Sequence, residues 1–183
     1  MQVAFVIAKL SRRLTALMNL KFVLPFALLK QVTEGIFNSV LVYCLPLYGG
    51  CETRCLKDLQ VMQNRAAQIV CRAPPRANRA TMFEKLDWLT VNQLVVYHSQ
   101  ILVYNVRKTK QPDYLADILN KDNRMGKIIV SNTDLSIVKK SFTFRAAEQW
   151  NSLPSDIRHA LTTKNFKKRL KTWISKNIPR FLD

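Results

Sequence analysis

Apolar residues recur at helical spacing along most of this chain. Between residues 3 and 20 they fall at Val3, Val6, Ile7, Leu10, Leu14, Leu17 and Met18, with Lys9, Arg12 and Arg13 on the other side. This predicts a first amphipathic helix. After Pro25, residues 26 to 45 read as a longer, more uniformly apolar helix, the expected core element surrounded by the others. The stretch from Thr53 to Arg72 is the most two-sided. Cys55, Leu56, Leu59, Met62, Ala66, Ile69 and Val70 share one side, while Arg54, Lys57, Asn64, Arg65, Gln68 and Arg72 share the other, with Val61 the one misfit. Thr53 is the expected N-cap, and Pro74-Pro75 stops the helix because proline lacks an N–H and displaces its predecessor from helical geometry.

Further along, Thr81 to Leu86 predicts a short helix closed by Asp87-Trp88-Leu89, with Trp88 a core anchor and a new start at Thr90. Residues 91 to 107 repeat apolar groups at Leu94, Val95, Tyr97, Ile101, Leu102 and Val106, another buried helix. Residues 108–127 turn polar, a surface connection interrupted by a turn of helix at Tyr114 to Leu119. Ile128 to Val130 and Leu135 to Val138 are short and β-branched and could pair as a small hairpin. Ser141 to Trp150 returns to helix, Leu153-Pro154 breaks it, and Ser155-Asp156 can cap the next one. From Asn165 to Ile174, Phe166, Leu170, Trp173 and Ile174 oppose Lys164, Lys167, Lys168, Arg169 and Lys171, a basic amphipathic helix. The expected fold is mainly α, divided as a helical domain over 1–107, a polar connection over 108–127, and a C-terminal extension over 128–183.

Charge narrows the function. In 183 residues, 29 Lys and Arg stand against 12 Asp and Glu, a formal net charge of +17, which points to a polyanionic partner: nucleic acid first, an anionic membrane second. The 4 glycines, Gly35, Gly49, Gly50 and Gly126, cannot form a glycine-rich phosphate cradle of either common type. Cys44, Cys51, Cys55 and Cys71 match no zinc-finger or ribbon spacing and read as reduced structural thiols. His98 and His159 form no acid–base pair in sequence. The N-terminal order of apolar patch before cations is wrong for a secretory signal, and the apolar run from Gly35 to Cys51 falls short of the ~20 residues of a bilayer span. A nuclear or cytoplasmic, non-secreted protein is expected, with no cofactor, metal or small-molecule substrate.

Several strings, in order, resemble one family. They are Leu45 to Gly50 (LPLYGG), Leu59 to Ala67 (LQVMQNRAA), Leu86 to Leu89 (LDWL), Tyr97 to Tyr104, and above all Ser141 to Arg158 (SFTFRAAEQWNSLPSDIR) followed by FKKRLKTWI. Over about Lys9 to Ile174 the chain resembles the region after the polymerase core in reverse transcriptases of non-LTR retrotransposons, particularly jockey-like elements. The resemblance implies a thumb-like helical bundle that packs beside a palm and helps grip the template-primer duplex. It also implies a location after the palm's Tyr-X-Asp-Asp motif, whose aspartates hold the catalytic magnesium ions; this chain contains no Asp-Asp pair. The chain thus resembles an RNA-directed DNA polymerase's holding surface without its chemistry, and no activity is expected of it alone.

Sequence-blind grip on a duplex comes from Lys and Arg meeting phosphates. The candidate contacts are Arg54, Lys57, Asn64, Arg65, Gln68 and Arg72, extended by Arg76 and Arg79, with Lys167, Lys168, Arg169 and Lys171 as a second surface. The expected partner is RNA or an RNA–DNA duplex, together with a separate palm domain and no membrane. The plainer alternatives are solvated helix faces, and a structural or protein-interaction remnant with no retained activity. Trp88, Trp150 and Trp173 sit in apolar patterns and are expected to pack in the core rather than stack on bases.

Overall fold

The computed structural model describes residues 2–123, 127–130 and 134–180. The fold is mainly α: among the described residues helix accounts for 73% and strand for 1%, and no sheet forms. The helices are α1 (Gln2–Leu20), α2 (Phe26–Thr33), a π-helical turn (Glu34–Asn38), α3 (Ser39–Val42), α4 (Leu45–Tyr48), α5 (Thr53–Cys71), α6 (Arg79–Leu86) and α7 (Val91–Thr109), then α8 (Asp113–Leu119), α9 (Ser136–Lys139), α10 (Phe142–Ser152), α11 (Ser155–Arg158) and α12 (Thr163–Asn177). Two compact units emerge, one of residues 1–45, 52–94 and 180–183, the other of 46–51 and 95–179. The division between them falls inside α7, after Leu94.

In the first unit α5 packs against α1, α2 and α6, and α1 also packs against α2 and the π turn. Leu10, Leu17, Leu29, Phe37, Leu41, Leu59, Ala66, Val70 and Leu86 are fully buried there. The segment after Pro25 is not surrounded as its composition suggests. Leu29, Thr33, Phe37 and Leu41 form its buried line, whereas Phe26 and Leu28 are exposed. A spacing of four advances about 40° per step on an α-helix, so a straight helix would carry that line off the core. The π turn at Glu34–Asn38 widens the helix where the drift accumulates and keeps Phe37 and Leu41 facing inward.

The ends of α5 differ from expectation at one side. Glu52 is the N-cap residue and makes no side-chain cap, while Thr53 is already helical. At the other end Arg72 adopts left-handed geometry (φ 52°), and the Ala73 N–H reaches Gln68 O at 3.0 Å, a Schellman closure without glycine. Asp87 closes α6 the same way, with Trp88 N–H on Phe83 O at 3.0 Å. Trp88 is half-buried, set edge-on to Phe83 with its indole N–H donating to Glu34 at 2.9 Å.

In the second unit, Tyr104 of α7 stacks on Phe166 of α12 with ring centroids 4.2 Å apart, and Trp150 of α10 lies 6.0 Å from the same ring. The Tyr104 hydroxyl donates to Ala160 O at 2.7 Å, so its buried polar end is satisfied. Arg107 covers Trp150 and pairs with both carboxylate oxygens of Asp122, at 2.9 and 2.7 Å. The LPLYGG loop docks on Arg145, which donates to Pro46 O at 3.1 Å. A side chain at Gly50 would bring its Cβ to 2.3 Å from Lys140 O, and the loop closes this tightly only with glycine.

The expected hairpin does not form. Ser136–Lys139 is a turn of helix, and Ile128 instead pairs with Asp122 in a single antiparallel bridge. Asn151 explains the choice: its side chain accepts from Ile128 N–H at 2.8 Å and donates to Ile128 O at 2.9 Å, acting as a substitute strand. The intervening residues 131–133 lie outside the described residues. At α11, Ser155 is the first helical residue and Pro154 takes the N-cap position without a side-chain cap.

Phe166→Ala should cost about 3–5 kcal/mol, the usual loss for a buried aromatic, while Leu161→Ala, at a side chain 88% exposed, should stay within about 0.5 kcal/mol. Denaturant unfolding midpoints check both. Equal costs would mean that the Tyr104–Phe166 stack does not organise this unit.

Candidate nucleic-acid interface

On α5, Arg54, Lys57, Val61, Arg65, Gln68 and Arg72 follow one another at spacings of three and four. From Arg54 to Gln68, at 100° and 1.5 Å per residue, they occupy a stripe about 80° wide and about 21 Å long, and Arg72 follows at the helix end. Arg54, Lys57, Arg65 and Arg72 are exposed and Gln68 is half-buried. Asp58 is the single acid in the stripe, and Val61 interrupts it as an exposed apolar residue. Arg76 and Arg79 are exposed where the chain turns into α6. No carboxylate pairs with Arg54, Arg65, Arg76 or Arg79 among the described residues.

Two stripe residues are also tied down. The Arg72 guanidinium donates to Leu24 O at 2.8 Å and the Gln68 amide donates to Pro75 O at 3.0 Å, holding the chain on either side of the helix end. Beside them a groove of about 530 Å³ runs between α1 and α5, with Lys21 and Arg65 among its walls.

Asn64 departs from the expected exposed position. It is 8% exposed and lies at the margin of the stripe, where α5 turns toward the start of α7. The Val91 N–H donates to Gln60 Oε1 at 2.8 Å, and Gln60 Nε2 donates to Asn64 Oδ1 at 2.9 Å. Gln63 adds a bond from its amide to Leu89 O at 2.8 Å. Asn64 is therefore part of a buried amide network first and an open contact second.

The second surface lies on α12 in the other unit. Thr162 caps this helix through a bond from Asn165 N–H at 3.2 Å, and Phe166, Leu170 and Ile174 bury its apolar side. Lys167 and Lys168 are exposed and Lys171 is half-buried. Arg169 is committed locally, donating to Asp156 O at 3.1 Å and standing 3.7 Å from its carboxylate. Trp150 is buried and offers no free stacking face, while Trp173 is half-buried and lines a groove beside Lys168 and Lys176.

Pattern reading missed Lys21, Gln60, Asn92 and Arg180. Gln60 carries no charge, and Arg180 lies beyond the last periodic helix, 96 residues from Glu84, the side chain it pairs with. Among the described residues no group of three or more His, Cys, Asp and Glu side chains could hold a metal, and no helix is long and apolar enough to cross a membrane. The four cysteines form no disulfide and are half-buried, and burial raises the Cys71 thiol, an effect that nearby Lys85 opposes. No family model, curated protein or solved structure matches this chain.

His98, on α7, is held below the usual imidazole value of 6.5, first by burial and then by the Lys167 charge. Below pH 6.5 the unfolded chain takes up a proton here that the folded chain resists. Stability from this position is therefore complete above 6.5 and is lost as pH falls through the lower folded value. His98→Gln should reduce the drop in denaturant midpoint between pH 7.5 and 5.5. NMR titration of the wild-type imidazole should give a midpoint below 6.5; a midpoint above it contradicts the buried placement.

Proposed function

We propose that this chain is a non-catalytic nucleic-acid-binding unit that grips an RNA or RNA–DNA duplex through its phosphates. The kind of machine it would serve is the one its sequence resembles, the region behind the polymerase core of a non-LTR retrotransposon reverse transcriptase. The observation that carries the reading is the α5 stripe with its extension: Arg54, Arg65, Arg76 and Arg79 are exposed and without carboxylate partners among the described residues. Cations left uncompensated in a chain of net charge +17 repel one another in the free protein, and a polyanion relieves that repulsion. Each phosphate they neutralise releases condensed counterions, which makes affinity steeply salt-dependent and nearly independent of sequence.

A second reading is favoured by a different surface of the first unit. Met18, Phe22, Val23 and Leu28, around the turn from α1 to α2, are between 43% and 80% exposed. Exposed apolar groups of this kind suit a protein partner, such as a separate palm domain, or self-association.

Binding of a labelled RNA–DNA hybrid should be strong at low salt and fall linearly in log affinity against log salt. Arg65→Ala with Arg72→Ala should weaken all sequences alike and flatten the slope by about two, one per lost phosphate contact. No affinity at low salt, or a loss confined to one sequence, would sink the phosphate-grip reading. A soluble oligomer without nucleic-acid affinity in light scattering would favour the apolar surface instead.

A further inference from the structure

Beside the open stripe, the first unit contains a smaller and more enclosed feature. It is a pocket of about 200 Å³ walled by Leu56, Val61 and Val91, with Lys57, Arg79 and Arg180 among its polar lining. Among the described residues no aspartate or glutamate lines it. The first turn of α7, a helix of 19 residues, forms one wall through Val91 and Asn92. Helix first turns present amide N–H groups that lack intrahelical partners and carry partial positive charge.

Asn64 gives the pocket its direction. A backbone N–H can only donate, so the Val91 N–H fixes Gln60 with its oxygen toward α7, at 2.8 Å. The Gln60 amide nitrogen must then face Asn64, where it donates to Oδ1 at 2.9 Å and to Gln63 Oε1 at 3.2 Å. With its oxygen turned to Gln60, Asn64 keeps two N–H donors on Nδ2. These have no protein partner among the described residues, although the side chain is only 8% exposed and lines the pocket. The nitrogen is not sealed from solvent, so its donors are open to water or to the acceptor oxygens of a ligand in the pocket.

We infer that this pocket binds a phosphate monoester, held by Lys57, Asn64, Arg79 and Arg180 at the start of α7. Resting on the nucleic-acid reading above, that monoester is the terminal phosphate of a strand. The chemistry favours a terminus over an internal linkage. An internal diester offers two unesterified oxygens and one negative charge, whereas a monoester offers three acceptor oxygens and close to two charges at neutral pH. Three cationic side chains match the nearly two charges of a monoester better than the single charge of a diester. Arg180 is partly compensated by Glu84 at 3.0 Å, and Glu84 is not among the described residues that line the pocket.

The test compares identical strands bearing a 5′-phosphate, a 3′-phosphate or hydroxyl ends, bound to the full chain at one salt concentration. One phosphorylated end should bind roughly tenfold to a hundredfold tighter than hydroxyl, the range for added hydrogen bonds to a charged group. Arg79→Ala, at an exposed position, and Asn64→Asp, which replaces the free donor with an acceptor, should bring that ratio toward one. Circular dichroism shows whether the buried Asn64→Asp variant folds, and Arg79→Ala decides the matter if it does not. In parallel, inorganic phosphate should shift the Asn64 side-chain amide signals in a saturable way. A ratio of one for both ends, with salt-dependent binding intact, overturns the pocket and leaves the stripe standing. Saturable phosphate binding at Asn64 without affinity for any strand supports the pocket and overturns the nucleic-acid reading.

Discussion

The first unit depends on the burial of one side of α5. Leu59, Ala66 and Val70 lose all contact with water against α1, α2 and α6, and each large apolar side chain so buried stabilises by about 1.5–3 kcal/mol. Ala66 and Ala67 keep that side shallow, so the neighbouring helices can approach without leaving a cavity. Once this side is committed, the rotation of the helix is no longer free. The cations at Arg54, Lys57, Arg65 and Arg72 must then face outward together, and the stripe follows from packing rather than from any contact among the cations.

A polar constraint refines what the apolar packing begins. The amide chain from Val91 through Gln60 to Asn64 ties the middle of α5 to the start of α7, and a single donor of fixed sense orients both side chains. It removes Asn64 from the open surface and leaves it lining a pocket beside the stripe. The same logic operates in the second unit, where Asn151 satisfies both backbone groups of Ile128 and makes a strand partner unnecessary. The Tyr104–Phe166 stack and the Arg107–Asp122 pair then hold α7, α10 and α12 around one aromatic centre.

Helices are legible in the sequence wherever apolar spacing and local stop signals agree. α1, α5, α7, α10 and α12 lie within a few residues of their expected limits, because periodic burial and Pro or Ser/Thr punctuation act over one or two turns. The exposed cations are equally legible, since a charged residue opposite an apolar line has little choice but solvent. The failures come where a distant residue decides. β-Branching favours a hairpin at 128–138, but Asn151, more than twenty residues away, competes for the same backbone groups. Periodicity assigns Asn64 to the polar side, but Gln60 and Val91 draw it inward.

The sequence by itself determined a mainly helical, strongly basic chain, the two-sided character of α5 and α12, and which charges must face water. These follow from local periodicity and from the cost of burying charge. Tertiary structure alone decided that the chain divides into its compact units within α7, that a π turn keeps Phe37 and Leu41 on the core side, and that Arg180 joins Lys57 and Arg79 around one pocket. Those outcomes depend on side chains far apart in the chain competing for the same volume and the same hydrogen bonds, and periodicity carries no record of that competition.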